Sequence, residues 1–249
     1  MNLQKPEIFY FNGGQTEMAL YHGSKDGIKG DIRPDQSRME TDFGQGFYMG
    51  ENQEQPKTLI ATHHRPVFYK LKVNLHDLKC VKVSGTTWAM LVAYNRGKLE
   101  DFQDTPLYQK ISRLTANCDM VIGPIADDKI YNVLEYFYDN LITDRTLLDC
   151  MQAMQLGEQY VAKSNKACDK KHIQIMSEKE LDQQERARLR QQAEDDRDAR
   201  NKTADDRIKA ANRLKYKVGR IFEEILEEGD DNALEILPNP NLSDAGPSF

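Results

Sequence analysis

"DFGQGFYMG", residues 42–50, sets three glycines around the adjacent aromatics Phe47 and Tyr48. Glycine supplies positive φ or lets another atom come close to the main chain, and ordering it costs conformational entropy. Three of them within seven residues specify a constrained turn, and the β-prone residues after it read as a strand starting near Phe47. Either the turn serves only to enter that strand, or it is a ligand wall in which Tyr48 offers a ring face beside exposed backbone.

Around this turn the chain mixes short β-like runs with amphipathic stretches. "EMALYHG" (17–23), "GFYMG" (46–50), "PVFYKLKV" (66–73), "LKCVKV" (78–83), "DMVIG" (119–123), "EQYVAK" (158–163) and "HIQIM" (172–176) read as strands, several with period-two alternation. "TTWAMLVAYNRG" (86–97) reads as a helix with a threonine cap and a terminal glycine. "DDKIYNVLEYFYDNL" (127–141) places Ile130, Val133, Leu134, Phe137 and Leu141 on one helical face. "RTLLDCMQAMQLG" (145–157) does the same with Leu148, Met151 and Met154, where the methionines read as core filler. Strands and helices do not alternate strictly, so the expected class is α+β rather than a doubly wound parallel sheet.

Beyond residue 176 the composition changes. "SEKELDQQERARLRQQAEDDRDARNKTADDRIKAANRLKYK" has no proline or glycine and few large apolar residues. Its opposite charges recur at three- and four-residue spacing, as on an exposed helix. Ser177 followed by Glu180 has the form of a capping box. Ala204, Ile208, Ala211, Leu214, Val218, Ile221 and Ile225 step by 4, 3, 3, 4, 3 and 4, near the 3.5 period of a coiled-coil seam. That stripe must bury against its own domain or against a partner helix, and self-association would run through Ile208, Leu214, Val218, Ile221 and Ile225. The division expected is a domain over 1–176, a charged helical extension over 177–235 and a proline-rich disordered tail over 236–249.

Bulk properties narrow the function classes. Hydrophobic residues are 39% and charged residues 30%, and the formal net charge is -6. That balance argues against a protein whose main task is coating nucleic acid, which needs a basic surface, and leaves room for a local basic patch. Cys80, Cys118, Cys150 and Cys168 have no CxxC or CxxH spacing, so they read as reduced core residues and no metal is expected. The N-terminal apolar run is too short for a signal peptide or a membrane span, which points to the cytoplasm and no membrane partner.

No phosphate-loop motif, HExxH or GxSxG is present, and "GQGFYMG" runs into β-like residues rather than the helix a dinucleotide fingerprint opens. His63 and His64 lack a third ligand at useful spacing and read as exposed side chains. "LYHGSKDGI" (20–28) is more informative. His22 ends an apolar run and is followed by Gly23 and Ser24, so the chain turns where an imidazole is presented. Two glycine-rich turns, one bearing His and one Tyr, suit a cleft that holds a flat polar ring.

"LYHGS" and "FGQGFYMG" resemble the first two motifs of the ADP-ribosyltransferase superfamily, in the branch shared by diphtheria-type toxins and poly(ADP-ribose) polymerases. In that branch a strand carrying HG and then Ser or Thr is followed, some tens of residues on, by FGxGhY. The longer string, from "DFGQGFYMG" through "TTWAMLVAYNRG" and "DMVIGPIADDK" to "GEQYVAKSNKA", is similar to a bacterial family of otherwise unknown function in the same superfamily. The resemblance spans roughly residues 16 to 176 and leaves out the charged tail.

The resemblance implies a split β-sheet core with flanking helices, and NAD as substrate. It implies that the main chain of Gly23 binds the nicotinamide carboxamide, with Ser24 and Gly46 in the two binding turns. His22 would hydrogen-bond the adenosine ribose, and Tyr48 would stack on the nicotinamide. Arg38 would contact the pyrophosphate, although a surface arginine fits it equally well. The superfamily's glutamate opens a later strand, in a segment much like "NEYIVY"; "GEQYVAK" puts Gln159 there. Glutamine still accepts a hydrogen bond but brings no formal charge. Glu158, next in the strand, should face the other way, and Asp127 and Asp128 are alternative acids on a loop. The activity implied is mono-ADP-ribosyl transfer to a macromolecule, with NAD hydrolysis as a variant, in a toxin, toxin–antitoxin or effector setting. The rival is a non-catalytic NAD-binding module that assembles through its C-terminal helix.

Overall fold

In the computed structural model, residues 7–10, 16–126, 128–154, 157–213, 218–228 and 237–238 are described. The elements run β1 (Glu7–Tyr10), β2 (Glu17–Ser24), β3 (Phe47–Gly50), α1 (Glu54–Ile60), β4 (Val67–Asn74), β5 (Lys79–Lys82), α2 (Gly85–Asn95), α3 (Pro106–Leu114) and β6 (Met120–Pro124). They continue with α4 (Asp128–Tyr138), α5 (Asp144–Met154), β7 (Glu158–Ala162), α6 (Asn165–Cys168), β8 (Ile173–Glu180), α7 (Gln183–Asn212), α8 (Phe222–Glu228) and β9 (Leu237–Pro238). Among the described residues the strands form one mixed sheet in the order β8-β4-β2-β3-β7-β6-β5-β1-β9. The class is α+β, with an open sheet flanked by helices and a long C-terminal helix.

Antiparallel pairing dominates. The parallel pair β5–β6 is linked by a crossover that contains α2 and α3, as a parallel connection requires. Strand alternation then sends residues to two cores. Val81, Val121 and Val161 face the helical layer, where Trp88, Leu91, Leu134, Phe137 and Leu147 are fully buried. Cys80, Met120, Ile122, Tyr160 and Ala162 face the opposite side with Leu20, Phe47, Leu71 and Val73. The four cysteines are buried and free, as the spacing predicted.

One junction differs from the rest. β2 pairs with β4 over eight residues, from Glu17↔Asn74 to Ser24↔Val67. β3 pairs with β7 over four, from Phe47↔Ala162 to Gly50↔Gln159. Between β2 and β3 a single register pair, Tyr21↔Gly50, is formed. The sheet is therefore creased in its middle, at the two strands that carry the His-Gly and Gly-x-Gly-Phe-Tyr motifs.

Several expectations need correction. Ser177 and Glu180 cap nothing: both lie in β8, opposite Lys70 and Val67. The cap is Asp182, whose Oδ1 accepts the Glu185 amide at 2.8 Å. Leu141 is 60% exposed because α4 stops at Tyr138 and Asn140 turns the chain with φ 60°. In α5 Met154 is buried as expected, but Leu147 and Cys150 take the buried positions expected of Leu148 and Met151, which are half-buried. The helices α1 and α3 and the strand β1 were not read from the sequence.

The tail is not a continuous seam. α7 and α8 are separate helices with Gly219 between them at φ 95°, and Leu214 lies outside the described residues, as does the expected disordered tail apart from Leu237–Pro238. Ile225 is fully buried and Ile208 packs on the helical core, Ile221 is half-buried, and Val218 is exposed. Of the expected stripe, Ala204, Ile208 and Ile225 are taken up by the chain's own helical core, while Val218 is exposed. The start of α7 clamps α1. Leu189 is fully buried with Ile60, Ala61 and Phe68, and Arg186 and Arg190 donate to the carbonyls of Ala61 and His63 at 2.6–3.0 Å. The far end packs through Ala204 and Ile208 on the layer containing α5. One helix thus ties together the two flanks of the creased sheet.

Truncating Leu189 to alanine is expected to cost about 2–4 kcal/mol, in line with other buried Leu→Ala changes. Amide exchange in α1 is expected to accelerate more than in α5. Chemical denaturation combined with hydrogen exchange measures both. An unchanged midpoint with unchanged α1 protection means that α7 does not hold α1.

Candidate functional site

The glycine-rich turn builds a socket for one phenol. Gly44 holds φ 68°, a backbone conformation that favours glycine. Gly46 is glycine for another reason: a Cβ there would lie 2.5 Å from Val161 Cγ1 and 2.9 Å from the Ala162 carbonyl. The Tyr48 hydroxyl accepts the Phe43 amide at 3.0 Å and shares its proton between Thr41 Oγ1 at 2.7 Å and the Gly44 carbonyl at 2.8 Å. Burial pushes this phenol well above the ordinary tyrosine range, so it stays protonated.

The turn's main-chain groups are largely engaged. The Gly44 amide reaches the Thr41 carbonyl, and the Gly46 amide reaches Ser37 Oγ. Lys163 Nζ donates to the carbonyls of Phe43 and Gln45, both at 2.5 Å, and burial lowers its pKa. Of the two readings of the turn, the structural one describes its amides: they lock the Tyr48 ring and do not form a ligand wall. Gly46 in particular has no free amide to offer.

Gln159 lies on the same face as Tyr48, because Tyr48 pairs with Val161 and Gly50 with Gln159 in the β3–β7 ladder. Its amide nitrogen donates to Asp42 Oδ2 at 3.1 Å and to the Pro124 carbonyl at 3.0 Å. Carboxylate and carbonyl oxygens only accept, so both amide protons are committed and the flip of the side chain is determined. Oε1 is the atom left over, and among the described residues it meets no donor. Asp42 is 7% exposed, and its other oxygen takes Arg96 Nη2 at 2.5 Å. Arg96 stands over the Tyr131 ring at 4.7 Å. Pro124 is shared as well: Trp88 Nε1 donates to the same carbonyl at 2.9 Å.

His22 reaches this group from the other side of the crease. Its Nδ1 lies 2.7 Å from the Tyr48 carbonyl. A carbonyl cannot donate, so Nδ1 carries the hydrogen and the neutral ring presents Nε2 as an acceptor. The ring rests on Phe47, with centroids 4.4 Å apart, and faces Tyr69. Burial there lowers its pKa. Phe47 and Tyr48 point to opposite faces, so the imidazole of His22 and the phenol of Tyr48 are joined through main chain and not ring to ring.

The remaining expected residues divide. Gly23 lies under α1, where a Cβ would meet the Pro56 carbonyl at 2.5 Å and Ile60 Cγ2 at 2.9 Å, so close helix packing explains this glycine. Ser24 ends β2 opposite Val67 and is half-buried. Arg38 is exposed on the loop before the turn. Glu158 faces away from Gln159, as strand alternation predicted, and pairs with Lys82 at 2.5 Å. Asp128 opens α4, and Asp127 lies outside the described residues. His64 is exposed and His63 half-buried. No group of three or more His, Cys, Asp or Glu among the described residues could hold a metal, and no helix there is long and apolar enough to cross a membrane.

Asp42, Arg96 and Lys163 were not singled out in the sequence. Asp42 stands inside the quoted motif, but an aspartate before a glycine turn is ordinary, and its partners are 54 and 117 residues away. A family model described as "Protein of unknown function (DUF3990)" matches residues 18–173, a span that holds every group of this site and stops short of α7. No curated protein and no solved structure matches the chain.

The buried neutral imidazole gives a pH signature. Its folded pKa lies below the unfolded value near 6.5, so the unfolded state takes up the proton first. Stability is full above about pH 6.5 and falls by about 1.4 kcal/mol per pH unit on acidification, until the folded pKa is passed. His22→Asn is expected to remove this component from the pH dependence of urea denaturation. An identical acid slope in the variant would show that His22 is not its source.

Proposed function

We propose that the chain, which belongs to this DUF3990 family, is a mono-ADP-ribosyltransferase that uses NAD and works at the crease between β2 and β3. The observation that carries the reading is the order of the strands. His22, Tyr48 and Gln159, the three positions of the superfamily pattern, stand on β2, β3 and β7, which are consecutive in the sheet. The one-pair junction is where a split-sheet NAD cleft would open. Further support comes from Gln159 Oε1, the acceptor left over by the hydrogen-bond network on the Tyr48 face, which suits a ribose hydroxyl; His22 Nε2 is an acceptor on the Phe47 side of the crease.

In the reaction, the bond between ribose C1′ and the nicotinamide nitrogen breaks and its electron pair leaves with the nicotinamide. Positive charge develops on the sugar. The acceptor nucleophile, or water in hydrolysis, then forms the new bond to C1′ and loses its proton. The protein's share is to hold the dinucleotide in a reactive pose and to place acceptors and negative charge near the cation. A neutral Gln159 with an orphan oxygen can orient a ribose hydroxyl. Lacking a formal charge, it suits single transfer or hydrolysis better than polymer growth. Glutamine at this position also favours a second reading, a module that binds NAD without cleaving it.

Incubation of the full chain with NAD labelled in the adenylate moiety, plus cell extract, is expected to give labelled macromolecule and free nicotinamide. Gln159→Ala is expected to lower nicotinamide release by about 10²-fold, the scale for losing one transition-state hydrogen bond. Calorimetric NAD binding without any nicotinamide release would select the second reading, and absence of both would remove NAD from the account.

A further inference from the structure

The charge missing from position 159 stands one hydrogen bond away. Asp42 is buried in the loop that enters β3, and its two carboxylate oxygens are divided between Arg96 and Gln159. Arg96 comes from the end of α2 and is itself braced over Tyr131 of α4. The carboxylate is therefore held on one side by a cation and on the other by the amide whose orientation matters.

We propose that Asp42 is a positioning residue that fixes the Gln159 amide with Oε1 outward, and that the two side chains act as one unit. This rests on the functional reading above for what Oε1 meets, but the orientation itself does not. If Gln159 were flipped, its oxygen would face two acceptors, the Asp42 carboxylate and the Pro124 carbonyl, and its amide group would point outward as a donor. Pro124 alone would disfavour the flip; Asp42 adds a second acceptor with a full charge. An asparagine at 42 can turn its own amide toward Gln159 and remove that bias, while keeping the size of the side chain.

The unit explains why restoring the superfamily's glutamate is not neutral here. Gln159→Glu would place a second carboxylate against Asp42 and against the Pro124 carbonyl, and like charges at that distance cannot both be comfortable. The loop aspartate and the strand glutamine make sense together. Asp42→Asn with Gln159→Glu exchanges the roles: the loop amide keeps its oxygen toward Arg96 and turns its nitrogen to the new carboxylate on β7.

The test is a pair of double-mutant cycles in the full chain, with two readouts. The chain has one tryptophan, Trp88, which donates to the carbonyl that Gln159 uses. Its emission therefore reports the network whether or not NAD binds. Asp42→Asn and Gln159→Ala are each expected to shift that emission, and the double variant to shift it no further than the larger single change. In nicotinamide release, Asp42→Asn is expected to lower kcat about tenfold with KM nearly unchanged, and to have less than about a twofold effect in the Gln159→Ala background, the non-additivity of groups that act as one. Gln159→Glu is expected to fall below wild type and to recover when Asp42→Asn is added. If Asp42→Asn does not fold, Asp42→Ser, which also removes the charge and can donate to a carboxylate at 159, replaces it in the cycles.

Additive emission shifts, or a Gln159→Glu variant that outperforms wild type with Asp42 in place, overturn the proposal. If neither the wild type nor any variant binds NAD, the functional reading falls. The emission cycle then still decides whether Asp42 orients Gln159.

Discussion

A sheet that pairs over four to eight residues on either side of its middle, but over one residue at the middle, must be held there by something else. The hydrogen bond from the His22 imidazole to the Tyr48 carbonyl does this, side chain to main chain, where further ladder bonds would otherwise run. It fixes the tautomer of His22. Because the carbonyl belongs to the residue whose phenol is locked into the glycine turn, it also ties β2 to that turn. The turn in turn is pinned to β7 by Lys163 and by the close packing of Gly46 on Val161. Three strands are thus positioned relative to one another by side chains at the point where the backbone pairing is sparse.

This arrangement explains what the sequence could and could not disclose. Val67–Asn74 was legible from its alternation, and Glu158–Ala162 as a short apolar run, since it is buried on both faces between two cores. The helix α1 was not, since "EQPKTLI" buries only Pro56 and Ile60 and is held by arginines of a helix more than a hundred residues later. β8 was read short because residues beyond Ile173 are exposed, so no hydrophobic period marks an edge strand that continues through "SEKE". Local charge patterning favoured a helix cap at Ser177, and pairing with β4 overrode it. In the candidate site, His22, Tyr48 and Gln159 were singled out through a resemblance to known motifs. The Asp42–Arg96–Gln159 network was not, because hydrogen bonding between residues that distant leaves no local signal.

The C-terminal helix follows the same logic at a larger scale. Its apolar residues recur at coiled-coil spacing, yet Ala204, Ile208 and Ile225 pack on the chain's own helical core. A helix of 30 residues rises about 45 Å at 1.5 Å per residue, long enough to reach from α1 to α5. The matched family region ends before it begins. The brace across the crease is therefore supplied by sequence outside the region that carries the site.

The placement of negative charge sets the kind of chemistry the crease can support under the proposed function. A glutamate on the strand would put its charge against the sugar. Here the strand offers a neutral oxygen and the charge sits behind it. Coulomb attraction falls with distance, so a carboxylate set one hydrogen bond further back contributes less to a developing cation than one in direct contact would. Arg96, paired to the same carboxylate, cancels part of what remains. Stabilisation of the cation is then weaker than with a direct carboxylate, while the geometry for orienting a hydroxyl is retained.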